Sequence, residues 1–527
     1  MTVYAFEPVG FEGELVTVEV DLRRGIPSVD LVGLPDSAVK EARERIRAAI
    51  RNSGFLFPLE RLLISLAPAG VRKGGASFDL AMALAVLVAS GQIPDVGVPV
   101  VALGELELSG RVRPVAGVLS AVSAGLRAGI PYFVVPRANL LEARALAGSA
   151  SFAIDGLYDC VRLTAALRGI GPADEFGPRD DQACMTETGP GASTINPASG
   201  DSVEYGDMAD IRGQSALRRA MEISAAGGHH MLLFGPPGVG KTMAARRLAG
   251  LLPDLDDEDA LVATMLHSLA GALPERSGLL RRPPFRSPHH GASAEGIVGG
   301  GRRRKPGEIS LAHGGVLLLD EAAEFRADVL QSLREPLEEG RVTIARADRV
   351  VSYPSRFMLV LSCNPCPCGN LGRRGAVCLC SPDEIRRYWK RLGGPLLDRI
   401  DIRVPVKPAD PAELASGPGE GSVPIKERVK AARNTQSVRY AGLSFHVNGR
   451  VPASGIDRFC ALGTQAAATF IEKAEHESFS SRACHATLRV ARTIADLDFS
   501  PAVESRHIDE AFSLRKYGDD DVFWLIP

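Results

Sequence analysis

Two short stretches of this 527-residue chain carry the residue types needed to split a phosphoanhydride. The first is Gly235-Pro236-Pro237-Gly238-Val239-Gly240-Lys241-Thr242-Met243, which follows the run His230-Met231-Leu232-Leu233-Phe234 and precedes residues with helical spacing. Strand, glycine-rich turn and helix form the context in which such a pattern is a phosphate-binding loop. The glycines let backbone N–H groups face the β- and γ-phosphates, and the helix N-terminus adds positive potential. Lys241 is expected to reach those phosphates and the Thr242 hydroxyl to ligate Mg²⁺. The second stretch, Gly315-Val316-Leu317-Leu318-Leu319-Asp320-Glu321, reads as a buried parallel strand. It delivers Asp320 to hold Mg²⁺ through water and Glu321 to polarise the attacking water. The pair predicts ATP hydrolysis, with ATP and Mg²⁺ as cofactors.

Three further side chains fit the same chemistry. Asn364 stands at the end of the apolar run 357–362, placed to hold the attacking water by hydrogen bonding. In ring ATPases an arginine in a segment like Gly394–Asp401 points at the γ-phosphate of the neighbouring subunit. Arg399 is the candidate here, since a delocalised fixed charge suits a developing phosphoryl transition state. A salt bridge with Asp398 or Asp401 is the alternative reading. Arg482, after Ser480 and Ser481 at the start of a helix, is the candidate for an arginine reaching back to its own subunit's γ-phosphate, with Arg489 two turns on as the second choice.

Other residues suggest partners. His289 and His290 stand together among turn formers, and Gly299-Gly300-Gly301-Arg302-Arg303-Arg304-Lys305 follows soon after. As a metal pair the histidines lack completing ligands, and glycines beside a basic run favour contact with nucleic-acid phosphates or bases. A β-hairpin is expected over 342–353, carrying Arg341, Arg346 and Arg349. Cys366-x-Cys368 and Cys378-x-Cys380 bracket a glycine-containing basic loop. Four soft thiolates in two pairs suit tetrahedral Zn²⁺, although this spacing is tighter than the usual two-residue gap, and small loop cysteines are the alternative. Cys363, on the strand side, is expected to be buried.

The elements that position these residues follow from composition and pattern. Length sets a prior of three or four domains, and 45% hydrophobic residues supply several cores. Lys and Arg number 61 against 63 Asp and Glu, so nucleic acid is not advertised by global charge and must be met by local patches. The start resembles no signal or transit peptide, no apolar run spans a membrane, and the nine cysteines form no disulfide framework; the protein is expected to be cytoplasmic. Residues 1–168 read as an α+β unit, with strands near 15–20, 28–32, 62–66 and 100–106. Helices are expected from Asp36 to Gly54 and over 78–90, the latter capped by Ser77. Residues 169–202, Cys184 among them, are poor in large apolar side chains and read as a linker. The ATPase core is expected over 203–408, with an adenine-side segment at Asp210–Gln214, solvated acidic surface at 253–259 and one helix over 327–339. A second linker at 409–424 leads to a helical lid over 425–527.

Within the first unit, KGGASFDLAMALAVL (73–87), ALGELELSGRVRPVAGV (102–118) and AGIPYFVVPRANL (128–140) resemble the proteolytic domain of Lon proteases, a ribosomal-S5-like fold. The resemblance puts Ser77 at the nucleophile's position and Leu119 where a dyad lysine should stand. Lys40 and Lys73 do not match that position. A serine without a base is not activated, so an inactive docking or assembly module is expected.

Across nearly the whole chain, FRSPHHGAS, the triple glycine, PGEISLAHGGVLLLDE, CNPCPCG, CxCSPDEIRRY, GPLLDRID and ARTIADL recur in the order found in magnesium-chelatase-like AAA+ ATPases of the YifB/ComM type. The chain is identified by this resemblance as a member of that family. Departures are Ala322-Ala323 in place of Leu-Pro, the length of the 169–202 linker and a more polar lid segment at 479–490. The resemblance implies an α/β AAA+ P-loop core with a C-terminal helical lid after a Lon-like domain. It also implies a homohexameric ring hydrolysing ATP, single-stranded or branched DNA as partner, recombination proteins as further partners, and branch migration during recombination of incoming DNA. The motor of a metal-chelatase-like complex and a Lon-like ATP-dependent protease or unfoldase are the alternative functions.

Overall fold

The computed structural model describes residues 1–178, 205–274, 277–301, 304–346, 349–373, 375–408, 412 and 417–515; the side chains of Arg346 and Arg349 fall outside that description. Most of the expected linker at 169–202, with Cys184, also lies outside it, as do Arg302 and Arg303.

The first part is built on a seven-stranded sheet. Its strands are β1 (Val3–Glu7), β2 (Glu14–Arg23), β3 (Ser28–Val32), β4 (Arg61–Ala67), β5 (Val100–Ala102), β8 (Tyr132–Pro136) and β9 (Ser151–Ile154), in the order β3-β4-β2-β1-β5-β8-β9. Between β5 and β8 lies a short hairpin of β6 (Glu105–Leu106) and β7 (Val112–Arg113). Alternation decides which face is buried: Leu62, Ile64 and Leu66 of β4 point inward while Arg61 is exposed. Asp36 caps the helix Ser37–Asn52 by accepting from Val39 N at 2.9 Å. The helix Asp79–Ala89 is apolar on almost every side and lies in the core. Ser77 does not cap it. No side chain caps that helix, whereas buried Asp79 in its first turn pairs with Arg45 at 2.9 Å and accepts from Leu106 N at 3.2 Å.

The second sheet is five-stranded and parallel throughout: β10 (Met231–Phe234), β11 (Phe285–Arg286), β14 (Val316–Leu319), β17 (Met358–Cys363) and β18 (Ile402–Pro405), in the order β11-β14-β17-β10-β18. All four residues of β10 and of β14, and all six of β17, are buried, as expected of strands covered on both faces. Two antiparallel ribbons lie outside this sheet, β12 (Gly299–Gly300) with β13 (Lys305–Pro306) and β15 (Arg341–Arg346) with β16 (Arg349–Pro354).

The acidic stretch 253–259 is solvated as expected, with Asp254, Asp256, Asp257 and Glu258 exposed; the loop ends at Asp256, which accepts from Asp259 N at 2.8 Å and caps the helix Asp257–Ala270. Acidic residues in a first turn complement the helix dipole. One local expectation is corrected. The single helix over 327–339 is broken into Ala327–Ser332 and Arg334–Glu339, because Pro336 has no N–H for the Ser332 carbonyl.

Helices Ser422–Arg439, Thr464–His476, Ser481–Leu497 and Ser505–Ser513 form the C-terminal part. Val490, Ala491 and Ile494 share one core with Leu217, Met231 and Ala244, so the lid is packed onto the ATPase sheet. The first part is fastened to the second through buried polar groups. Glu142 accepts from Leu119 N at 2.9 Å and from the Ser268 hydroxyl, and Gly117 N donates to Ser268 Oγ at 2.9 Å. No helix among the described residues is long and apolar enough to cross a membrane.

A candidate nucleotide-hydrolysis site

Ligands of open parallel α/β sheets bind beyond the carboxyl ends of the strands, where the strand order reverses. Here β10 is that strand, flanked by β17 and β18, and the loop 235–240 leaves its end. The local fold follows from glycine. Gly238 and Gly240 adopt φ of +83° and +90°, and a Cβ on Gly235 would stand 2.1 Å from the Val406 carbonyl oxygen. The helix Lys241–Leu251 then begins without a side-chain cap, leaving its first N–H groups directed at the loop.

Lys241 Nζ donates to the carbonyls of Gly235 at 2.7 Å and Pro236 at 3.0 Å, and to Asn364 Oδ1 at 3.1 Å. Burial lowers its pKa, and the charges facing it, Asp320 and Glu321 among them, offset that only in part. Phosphate oxygens at this point would favour the charged form. Thr242 Oγ1 donates to Asp320 Oδ2 at 2.7 Å, while Asp320 Oδ1 accepts from Ser362 Oγ at 2.6 Å and Glu321 N at 3.1 Å. The residues expected to bind phosphate, hold Mg²⁺ and orient water therefore come from the ends of β10, β14 and β17 to one place. Glu321 takes a left-handed backbone (φ +52°), and His290 Nδ1 lies 3.8 Å from its Oε2.

Arg399 and Arg482 are brought together elsewhere. Both guanidinium groups bond to Glu338 Oε1, and neither makes a hydrogen bond to the loop 235–240. Arg399 does not pair with Asp398 or Asp401, since Asp401 is taken by His229 at 3.1 Å. Arg489 acts on the buried Asp401 and His230.

The four cysteines converge. Their sulfurs lie within 4.8 Å of one another, with Cys366–Cys368 at 3.4 Å and Cys378 at 3.7 Å from each of those two. A tetrahedral Zn²⁺ with Zn–S of about 2.3 Å has S···S edges of about 3.8 Å, so the donor set and its size fit that ion. Cys363 is fully buried and its thiol is pushed up to about 12 by burial.

Of the basic residues expected on loops, Lys305 donates to the Ala270 carbonyl at 3.0 Å, and the Arg304 carbonyl accepts from the Tyr353 hydroxyl of β16. The glycine-rich turn is thereby tied to the hairpin. His289 and His290 lie on an exposed loop with ring centroids 4.1 Å apart. Three contributors are not announced by the sequence, Ser362, Glu338 and Trp389, while Gln214 belongs to the segment expected on the adenine side. Gln214 Nε2 donates to Lys407 O at 3.0 Å and Val239 O at 3.4 Å. The legible signal for Ser362 was a hydroxyl two residues before Asn364 at the end of an apolar strand.

The family described as "Magnesium chelatase, subunit ChlI" matches residues 207–414, "Subunit ChlI of Mg-chelatase" matches 18–139 and "Magnesium chelatase, subunit ChlI C-terminal" matches 419–515. The chain is 39% identical over 516 residues to protein YifB of Escherichia coli (strain K12), covering 97% of this chain and 96% of that one. It is 38% identical over 517 residues to competence protein ComM of Haemophilus influenzae, covering 97% of each. Lon protease of Geobacter metallireducens is 32% identical over 146 residues, 26% of this chain and 17% of that protein.

Proposed function

The chain belongs to the YifB/ComM-type magnesium-chelatase-like family of AAA+-type ATPases, and from that premise we propose that it is an ATP-driven motor acting on DNA as a homohexameric ring. Its work in this reading is branch migration of single-stranded or branched DNA during recombination of incoming DNA, in the cytoplasm and beside recombination proteins. The units 1–168, 169–202, 203–408, 409–424 and 425–527 are part of the proposal, the first as a proteolytically inactive docking module.

The observation that carries the hydrolytic part is the hydrogen-bonded set Lys241, Thr242, Asp320 and Asn364 at the carboxyl ends of three parallel strands. Lys241 would neutralise the β- and γ-phosphates of ATP. Thr242 and Asp320 would hold Mg²⁺, which when bound spreads the developing charge. Glu321 would take the proton of the attacking water and Asn364 would orient that water. Arg399 and Arg482 would stabilise the transferring phosphoryl group. Cys366, Cys368, Cys378 and Cys380 would hold a structural Zn²⁺.

DNA is supported by the relation to a competence protein and by the basic turn tied to the hairpin through Tyr353. His289, His290, Arg302, Arg303, Arg304, Lys305, Arg346 and Arg349 are the proposed contacts. His290 beside Glu321 gives such contacts a short route to the hydrolytic base. Against the protease alternative, Lys73 Nζ bonds to the Pro68 carbonyl, and the Lon resemblance puts Leu119 where the dyad lysine should stand. A labelled four-way junction given the protein and ATP is expected to be converted into duplex products. Intact ATP turnover with no movement of junctions, forks or single strands would refute the reading.

A further inference from the structure

The four-cysteine loop is not an isolated appendage. Two residues separate it from the end of strand β17: Asn364 holds Lys241, Pro365 follows, and buried Cys366 is the first sulfur. The Pro365 carbonyl accepts from Trp389 Nε1 at 3.1 Å. The Trp389 ring in turn meets the edge of Phe234, with centroids 5.8 Å apart and planes at 79°. Phe234 is the residue immediately before Gly235, whose N–H donates to the Cys363 carbonyl at 3.2 Å. On the other side, Gly369 lies against the phosphate loop: a Cβ there would come within 3.1 Å of Pro237 Cδ and 3.3 Å of its Cγ.

Cys366, Gly369 and Leu371 are buried at its base, but the outer part of the loop has little else to hold its shape. Among the described residues of 364–381 there is neither helix nor strand, and Val377 and Leu379 are 76% and 88% exposed. Apolar burial cannot offset the entropy of ordering such a segment, whereas a metal bound by four thiolates supplies folding free energy directly.

We propose that the four-thiolate site is a metal brace for the nucleotide pocket, in which a Zn²⁺-class ion fixes the loop that seats Pro237 and Asn364. This rests on the reading that the thiolates hold Zn²⁺ and that the loop 235–240 binds nucleotide. Cys366 and Cys368 fix one arm, Cys378 and Cys380 the other, and Gly369 between them transmits the position to Pro237. Losing the metal releases both contacts at once. It weakens nucleotide binding without touching a residue that contacts the nucleotide.

The test uses the full chain and reads zinc by elemental analysis and ADP affinity with a fluorescent ADP. One zinc per chain is expected, and C368S/C380S is expected to lose it and to bind ADP at least tenfold more weakly. Gly369→Ala and Gly372→Ala separate bracing from general damage. Both glycines have a left-handed backbone, φ +74° and +75°, but a Cβ at Gly372 meets nothing within 4 Å. Both variants should keep zinc, with only Gly369→Ala losing ADP affinity, about three- to tenfold. Equal behaviour of the two glycine variants, or unchanged ADP affinity in the zinc-free protein, overturns the brace and leaves the zinc site standing. Wild-type protein that neither contains nor takes up zinc overturns both. Wild type with zinc but no ADP binding overturns the nucleotide reading and the brace with it.

Discussion

Ser362→Ala is the substitution that tests the geometry of the hydrolytic site most finely. Ser362 is fully buried at the end of β17, and its hydroxyl donates to Asp320 Oδ1 at 2.6 Å. That oxygen also accepts from Glu321 N, while Oδ2 faces Thr242 Oγ1 at 2.7 Å, the hydroxyl expected on the same Mg²⁺. A hydrogen bond to a charged group contributes about 1.5–3 kcal/mol. Two donors still hold the carboxylate in the variant, so roughly half of that, about 0.75–1.5 kcal/mol, should reach the transition state. That corresponds to about a 3- to 12-fold fall in kcat. The assay is steady-state ATP hydrolysis over a Mg²⁺ titration, with ADP affinity in EDTA and circular dichroism alongside. The expected result is a lower kcat and a higher Mg²⁺ midpoint in a folded protein whose metal-free ADP affinity is unchanged. A variant with wild-type kcat and Mg²⁺ midpoint would refute the claim that Ser362 orients Asp320.

Three further outcomes follow from other contacts. Burial holds the His230 pKa down to about 4, with the Arg450 charge acting in the same direction and Asp401 opposing it. The folded state therefore prefers neutral His230: its stability is complete above about pH 6.5 and falls by about 3 kcal/mol as pH drops toward 4. His230→Gln should flatten that part of a urea-melt pH profile, and an unchanged slope would count against it. Glu142→Ala removes the acceptor for Leu119 N and the Ser268 hydroxyl, and is expected to cost about 1–3 kcal/mol and expose the junction of the first two units to limited proteolysis. An unaltered digestion pattern would contradict the clasp. The shared carboxylate of Glu338 puts Arg399 and Arg482 side by side, so the two should serve the same nucleotide. Mixing Arg399→Ala with Arg482→Ala subunits is then expected to restore no more activity than either alone shows, whereas activity well above both would assign the arginines to different nucleotides.

Much of this was legible because local chemistry and tertiary demand agreed. The loop 235–242 and the run 316–321 announce strand, turn and helix by glycine placement and unbroken apolar residues, and both sit where that pattern requires. The Asp36 cap and the alternation in 62–66 are equally local. What was not legible depends on contacts distant in sequence. Ser77 looks like a cap, but Asp79 takes the polar role in that first turn through Arg45, 34 residues away. The acidic residues 254–258 are solvated as their composition suggests, but that Asp256 caps a helix is not announced, because the helix it starts is amphipathic only in part. Arg399 and Arg482 were assigned by position in chain, and nothing in the sequence announces that Glu338 collects both. The convergence of the cysteines was suggested by pairing, but their link to Pro237 runs through a glycine whose neighbour only the fold reveals.

The most direct test of the central claim is steady-state ATPase activity, alone and with single-stranded, duplex and four-way-junction DNA, with Lys241→Ala as the blank. The expected result is turnover abolished in Lys241→Ala and stimulated several-fold in the wild type by single-stranded or junction DNA, the stimulation weakening as salt rises. Robust turnover indifferent to all three DNAs would contradict it.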